Sequence, residues 1–289
     1  MERDTENNKA RINQKKEDVD VESVISQYLD KYYYRVILND DDRIERISGE
    51  DKRNINGSDI VVTRYPGTHK EYSMNLDEKA QLYYINHPLP TFALEILFIN
   101  TYGNLQEGWF IDDTKNTTDY LFIWPRSNKE IDTKRGKKEG NKQGNPKTLN
   151  QLSIKDIDFI ECMRVNKKKL QEYIQKKTGI SIKDLKKKAS ELKNTVDSEL
   201  KNKINPANKM ELFTDKTISN RNNYFCYSYN LKEKPVNMVV DKKILMMLSE
   251  AHYLVNEEGV WSIMRSNTPQ SNADRDYCLI GIRDNKETL

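Results

Sequence analysis

The feature that most constrains the fold of this chain is a strand-like alternation that contains an Asp-x-Lys triplet. From residue 73 to residue 81 the odd positions are all polar, and three of the four even positions are apolar. Successive side chains of a β-strand point to opposite faces of the sheet. We therefore predict a strand whose polar face carries Asp77 and Lys79, with Met74 and Leu76 packed behind it.

A second acid, Asp59, precedes the apolar run Ile60-Val61-Val62. Tyr65-Pro66-Gly67 has the composition of a tight turn, which would fold this run back beside the Asp-x-Lys strand. Asp59 would then reach the polar face of that strand. The convergence of two carboxylates and an ammonium at a sheet edge predicts a site for a hard divalent cation, with a lysine beside it.

The order of these elements resembles that of a known superfamily. Apolar residues at helical spacing between Val21 and Tyr32 predict a helix ahead of the two strands. Helix, strand, turn and Asp-x-Lys strand together resemble the PD-(D/E)xK nucleases, with Asp59 as the first acid and Asp77 with Lys79 as the second half of the motif. Serine stands before Asp59 where the family has proline. The resemblance covers residues 20–125 best, and it implies a restriction-endonuclease-like α/β fold with a mixed central β-sheet flanked by helices.

What the resemblance implies chemically is metal-dependent hydrolysis of phosphodiester bonds. Asp59 and Asp77 would bind Mg²⁺ or Mn²⁺, and the carboxylate of Asp77 or the backbone carbonyl of Glu78 would complete the coordination shell. Glu22, on the first helix, would supply a further ligand. The metal would lower the pKa of a bound water and neutralise charge on the phosphate oxygens. Lys79 would orient the attacking water.

Each of these residues also has a simpler interpretation. Residues 56–59 have the composition of a turn, so Asp59 is compatible with a strand-capping role. Asp77 and Lys79 are compatible with a solvated ion pair on an exposed sheet face. Glu78, on the apolar face, must lie at a strand end or have a partner. Glu95 is a lone acid in an apolar run, as compatible with a strand end as with a role near the site.

Composition excludes several classes of protein. The chain has 289 residues, 32% of them charged and 36% hydrophobic, which fits one large domain or two small ones. No apolar run approaches the ~20 residues that span a bilayer, and the first residues are unlike a signal peptide. Three widely spaced cysteines argue against a disulfide framework. We therefore predict a cytoplasmic protein without membrane contact.

The sequence has no phosphate-binding glycine loop, which disfavours a nucleotide hydrolase, and no G-x-S-x-G elbow, which disfavours a serine hydrolase. It also has no pair of histidines at ligand spacing, which disfavours a zinc enzyme.

Four segments follow from the patterning. Residues 1–19 are predicted to be disordered or frayed, and residues 20–125 to form the nuclease-like α/β core. Residues 126–205 are predicted to form a basic loop and a Lys-rich helical insertion or side lobe. Residues 206–289 supply strands and a helix that complete the α/β domain.

More detailed expectations concern the strands and helices within these segments. Runs at 92–100, 108–111 and 120–124 predict further strands of the same sheet, with 108–109 and 117–120 paired as a hairpin beside the motif strand. Helices are predicted at 166–177 and 182–203. His252 is predicted to lie at a helix end.

Positive charge is concentrated in the third segment. Between residues 126 and 203 there are 22 lysines and arginines but 11 acids, although the whole chain is only +3. Lysines neutralise phosphates and release counterions, which gives affinity without sequence information. The residues predicted to contact nucleic acid are Lys134, Arg135, Lys137, Lys138, Lys186, Lys187 and Lys188. A solvated Lys-rich helix is the alternative.

These observations predict a Mg²⁺-dependent nuclease acting on DNA, and fold analogy suggests defence, restriction or a mobile element as its setting. Whether it forms a homodimer is left open by the sequence. Two other classes stay open as well. One is a non-catalytic nucleic-acid-binding protein on the same scaffold, and the other is a regulatory module whose Lys-rich helix docks on an acidic protein.

Overall fold

The computed structural model describes residues 20–47, 57–133, 147–213, 218–265 and 277–282. Helix α1 covers residues 20–37 and includes one π-helical turn, Asp30–Tyr34. The other helices are α2 (Lys167–Thr178), α3 (Ile182–Lys201) and α4 (Lys242–Leu248). In chain order the strands are β1 (Arg43–Arg46), β2 (Ile60–Arg64), β3 (Tyr72–Ala80), β4 (Thr91–Ile99), β5 (Leu105–Glu107), β6 (Asp119–Ser127), β7 (Ile131–Asp132), β8 (Lys147–Thr148), β9 (Ile157–Asn166), β10 (Lys209–Glu211), β11 (Tyr224–Tyr227), β12 (Val236–Asp241), β13 (Ala251–Asn256), β14 (Gly259–Arg265) and β15 (Tyr277–Ile282).

Two sheets make up the framework. The larger has eight strands in the order β1-β2-β3-β6-β9-β13-β14-β15, and it is mixed because β3 and β6 are parallel while its other pairs are antiparallel. The smaller is antiparallel, with the order β10-β11-β12-β4-β5. Strands β7 and β8 form a separate parallel pair. The predicted class, a mixed sheet flanked by helices, is confirmed.

One face of the large sheet is covered by α1. Val21, Ile25 and Leu29 recur at helical spacing and pack with Ile60 and Leu76 in one buried cluster. The burial of this stripe stabilises α1 more than helix propensity does, because most helical stability in proteins comes from packing of an apolar face. The predicted helix is therefore confirmed, and it extends beyond Tyr32 to residue 37.

The opposite face of the large sheet packs against the small sheet and against α2 and α3. The rings of Phe92 on β4 and Phe122 on β6 meet edge to face, with centroids 4.7 Å apart. The buried apolar residues of α2 and α3 join the same cluster: Leu170, Ile174, Leu185, Ala189, Leu192 and Val196. The two Lys-rich helices therefore share a core with the strands. We call this cluster the inter-sheet core.

Two predictions about strand pairing are wrong. The run at 92–100 forms β4, but β4 belongs to the small sheet rather than to the sheet of the motif strand. Residues 109–111 form a turn, with the strand β5 just before them, so the predicted hairpin does not exist. The prediction that residues 120–124 form a strand of the motif strand's sheet is confirmed, because β6 lies beside β3 as its parallel neighbour. Aromatic residues suit a buried turn as well as a strand, which is why local composition misassigned residues 108–111.

His252 is also placed differently from the prediction. It lies in β13, and its Nε2 is 2.9 Å from Oε1 of Glu161 on the neighbouring strand β9.

Among the described residues, no helix is both long enough and apolar enough to cross a membrane. The predictions for residues 1–19 and for Lys134, Arg135, Lys137 and Lys138 lie outside the described residues.

Candidate metal centre and active site

Strand β3 places Asp77 and Lys79 on the face that meets the small sheet. Their partners on β6, Tyr120 and Phe122, are residues of the inter-sheet core. The Nζ atom of Lys79 is 2.6 Å from Oδ1 of Asp77, and only 4% of Asp77 is exposed. Asp77 is buried and Lys79 is partly buried, so the two residues form an ion pair at the margin of the core and not the solvated surface pair that their sequence also allowed.

Asp59 reaches this pair through the hairpin of β2 and β3. The turn is closed by a hydrogen bond from the Thr68 N–H to the Tyr65 carbonyl. Asp59 lies directly before β2, and its Oδ2 accepts a 2.8 Å hydrogen bond from the backbone N–H of Glu78. The structure thus brings together the three residues on which the predicted metal site depends, Asp59, Asp77 and Lys79.

Burial and neighbouring charges set the electrostatics of this group. Burial, with a smaller effect from the charge of Asp77, raises the pKa of Asp59 to about 6, although Lys79 and the Glu78 N–H act in the opposite direction. Burial alone would lower the pKa of Lys79, but Asp77, Asp59 and, more weakly, Glu22 raise it above its ordinary value. Asp77 is paired with Lys79, and the charge of Asp59 also acts on this one ammonium, so ionisation of Asp59 leaves the group with an excess of negative charge. Carboxylate oxygens with unbalanced charge are ligands that Mg²⁺ and Mn²⁺ prefer.

Asp59→Asn is expected to stabilise the protein at high pH in the absence of metal. Because the folded state holds the Asp59 pKa above its unfolded value, the stability contributed by this group is present at acidic pH and is lost as pH rises through about 6. The amide removes this loss and keeps the acceptor for the Glu78 N–H. The gain in unfolding free energy should be on the order of 2 kcal/mol larger at pH 8 than at pH 4. Urea unfolding in EDTA measures it, with the exposed Asp158→Asn as control. Equal effects of Asp59→Asn at both pH values would contradict this prediction.

Two further predicted site residues are placed less centrally. Glu22 is exposed on α1, and its carboxylate is within electrostatic range of Lys79. The Glu78 side chain points to the opposite face of β3, where it accepts a 2.8 Å hydrogen bond from the Tyr34 hydroxyl and forms a 2.9 Å ion pair with Arg46. The side chain of Glu78 is therefore occupied away from the metal site, and only its backbone carbonyl remains a candidate ligand.

Glu95, on β4 of the small sheet, approaches the site. The sequence alone is compatible either with a strand-end position for this acid or with a role near the site. Its carboxylate accepts a hydrogen bond from the backbone N–H of Trp109. The Nζ atom of Lys79 lies over the Trp109 ring, 5.1 Å from the centroid. Burial, with a smaller effect from the charge of Glu233, raises the pKa of Glu95 to about 7, although Lys79 and the Trp109 N–H act in the opposite direction. Glu95 and the Asp59–Asp77 pair thus act on the same lysine from two sheets.

Gly108 permits this close approach of the two segments. A Cβ atom at residue 108 would overlap the carbonyl group of Glu95 and would lie 2.7 Å from its Cγ. Gly108→Ala is therefore expected to destabilise the fold by about 1–3 kcal/mol, the usual effect of overpacking. Thermal unfolding beside the control Gly67→Ala, where no atom lies within 4 Å but φ is +73°, separates this overlap from backbone strain. A smaller loss at Gly108 than at Gly67 would contradict the assigned contact.

A cavity of about 1000 Å³ adjoins the site. We call it the lysine cavity, because its lining includes Lys115, Lys167, Lys168, Lys183 and Lys186 together with the acids Glu107 and Asp113. Of the residues predicted to contact nucleic acid, Lys186 lines it and pairs with Glu107 at 2.8 Å. Lys187 and Lys188 follow on α3 but are not lining residues. Lys115, Lys167, Lys168 and Lys183 were not singled out from the sequence, because only the fold brings them together.

A second acidic group lies at the rim of this cavity. One carboxylate oxygen from each of Glu107, Asp112 and Asp113 lies within 4.8 Å of the others. Exposed acidic groups of this kind are common without a metal, and Lys186 already pairs with Glu107. Because it is a competing set of oxygen ligands, it provides the natural control for experiments on Asp59 and Asp77.

Comparisons of the chain with protein-family models, curated proteins and solved structures found no match.

Proposed function

We propose that this chain is a metal-dependent nuclease that hydrolyses phosphodiester bonds in DNA, with a restriction-endonuclease-like core. The observation that carries the proposal is the buried group formed by Asp59, Asp77 and Lys79 on neighbouring strands of a mixed sheet. The packing of α1 on the other face of that sheet and the basic cavity beside the site add support. A structural ion pair would need only one carboxylate for one lysine, whereas here the charge of a second carboxylate, Asp59, also acts on Lys79.

The residues divide the chemistry among them. Asp59 and Asp77 would hold Mg²⁺ or Mn²⁺, and a metal bound there would lower the pKa of a water ligand and offset charge on the phosphate. Lys79 has a raised pKa and is therefore protonated at neutral pH. It acts as a fixed cation and hydrogen-bond donor toward the phosphate or the attacking water, and not as a base.

Glu95 is the group near Lys79 that suits proton transfer at neutral pH. A general base works best when its pKa is near the working pH, and burial brings the pKa of Glu95 to about 7. We infer that Glu95 accepts a proton from the attacking water, directly or through a second water. This role distinguishes it from Asp59 and Asp77, whose role is to bind the metal.

Glu95→Gln is expected to lower the cleavage rate by about 100-fold and to remove the rise of the rate with pH near 7. The reason is that the amide cannot accept a proton. The profile of kcat/KM against pH at saturating Mn²⁺ measures this, since saturating metal keeps Asp59 ionised throughout. A variant that retains the same rising limb would show that another group is the base.

The proposal itself is tested by incubating the purified protein with supercoiled plasmid, linear duplex DNA and RNA, each with Mg²⁺, Mn²⁺ or EDTA. We expect cleavage with either metal and none with EDTA, and the substrate that is cut identifies the class of nucleic acid. Binding of these substrates without cleavage in any metal would favour a non-catalytic nucleic-acid-binding protein instead. Neither binding nor cleavage would favour a protein-interaction module.

A further inference from the structure

The lysine cavity has the charge and the location of a binding site for the phosphates of a polynucleotide. We propose that consecutive phosphates of the substrate strand bind in this cavity and that it delivers the next phosphate of the strand to Asp59 and Asp77. The identity of the ligand rests on the proposed nuclease function, and the place where it binds rests on the cavity.

The charge of the lysine cavity favours the binding of phosphates. Five lysines and only two acids line the cavity. Of these lysines, Lys186 is paired with the carboxylate of Glu107, at 2.8 Å. Lys167 is only 8% exposed; its Nζ donates to the backbone carbonyl of Asp112 at 3.1 Å, and the charges of Asp112 and Asp113 also act on it. Like charges gathered in a concave surface raise the local concentration of anions, and several phosphates in a row match several ammoniums.

Two helix N-termini also lie at the lysine cavity. Helices α2 and α3, of 12 and 20 residues, both begin at the cavity, and the first residue of each, Lys167 and Ile182, lines it. The first turn of a helix has N–H groups without intrahelical acceptors and carries a partial positive charge. Some of these N–H groups already have acceptors, since the Lys167 N–H donates to the Thr118 carbonyl and Asn166 and Ser181 cap the two helices. The partial positive charge of both helix ends adds to the attraction of the lysines for phosphate.

Hydrogen bonds connect the lining of the lysine cavity to the segments that carry Asp59 and Asp77. Thr117 and Thr118 line the cavity immediately before β6. The Thr117 hydroxyl donates to the carbonyl of Gly57, two residues before Asp59, and the Thr118 N–H donates to the carbonyl of Asn75, two residues before Asp77. The charge of Asp77 also acts on Lys167. The lining of the cavity is therefore hydrogen-bonded to the two segments that carry Asp59 and Asp77.

The test is oligonucleotide binding in EDTA, where no cleavage occurs. Fluorescently labelled single-stranded DNA, duplex DNA and RNA of one length are titrated with the full chain, with Lys168→Gln/Lys183→Gln and with the control Lys176→Gln/Lys177→Gln. The control removes the same charge from exposed lysines at the far end of α2. We expect binding at least about tenfold weaker for the cavity variant, with the salt slope reduced by about one for each lysine, and no change for the control.

The outcomes separate this inference from the nuclease proposal. Equal binding by the cavity variant and the control would overturn the inference, and metal-dependent cleavage in the same samples would leave the nuclease proposal standing. Selective loss of binding by the cavity variant, without cleavage by the wild-type chain, would support the inference and count against the nuclease. Failure of the wild-type chain to bind any of the three oligonucleotides at low salt would overturn the inference. So would displacement of the oligonucleotide by inorganic phosphate as readily as by unlabelled oligonucleotide, since the cavity would then recognise a single phosphate.

Discussion

Asp77→Asn is expected to lower the rate of metal-dependent cleavage by at least about 1000-fold, because it removes a carboxylate that would hold the metal and that pairs with Lys79 at 2.6 Å. The amide has nearly the same shape, so the buried packing around it should persist. It cannot balance the charge of Lys79 or of a divalent cation. Initial rates at saturating Mn²⁺, normalised to folded protein by circular dichroism, measure the effect.

A matched control is available in Asp113→Asn, at the rim of the lysine cavity. Asp113 belongs to the competing acidic group and is exposed. We expect this variant to bind the metal needed for cleavage as the wild-type chain does. Cleavage by Asp77→Asn within threefold of the wild-type rate would contradict the assignment of Asp77 as a metal ligand.

Lys79→Met is expected to combine a loss of activity with a loss of stability that metal partly restores. Removing the ammonium leaves Asp59 and Asp77 buried together without their internal cation. Breaking a buried ion pair costs several kcal/mol, and because about a quarter of the Lys79 side chain is exposed we expect about 2–3 kcal/mol. Cleavage should fall by about 100-fold or more because the fixed cation beside the phosphate is lost.

The response of this variant to metal distinguishes a metal site from a structural ion pair. Mg²⁺ bound by Asp59 and Asp77 would replace the missing positive charge, so added Mg²⁺ should raise the Tm of Lys79→Met more than the Tm of the wild-type chain. Thermal unfolding with and without MgCl₂ measures both shifts. Equal shifts in the two proteins would show that metal does not bind beside Lys79.

The part of this site that is local in sequence could be predicted, and the part that is assembled by the two sheets could not. Alternation in residues 73–81 and the turn at Tyr65-Pro66-Gly67 place Asp59 near Asp77, because a hairpin is specified by its own strands and turn. The apolar stripes of α1, α2 and α3 predicted those helices for the same reason. No such local signal says which sheet a strand joins, so β4 was assigned to the wrong sheet.

The role of Glu95 and the lysine cavity could not be predicted from the sequence either, because both depend on how the two sheets and the helices pack together. Glu95 approaches Lys79 only because β4 lies in the second sheet and Gly108 lets the turn that begins at Trp109 pack against Glu95. Lys167 and Lys183 meet only because α2 and α3 begin at one place. The parallel pairing of β3 and β6 also has no local signal, because parallel strands are joined by a long crossover. Here the crossover contains β4 and β5, which belong to the other sheet. The lone acid in an apolar run and the glycine after Glu107 were the available signals.

Mn²⁺ titration of the wild-type chain, Asp77→Asn and Asp113→Asn, followed by electron paramagnetic resonance of the free ion, tests the central claim most directly, because it needs no knowledge of the preferred substrate. The account predicts that the wild-type chain and Asp113→Asn bind Mn²⁺ equally and that Asp77→Asn loses this binding. Binding that survives in Asp77→Asn but disappears in Asp113→Asn would move the metal to the rim of the lysine cavity and contradict the account.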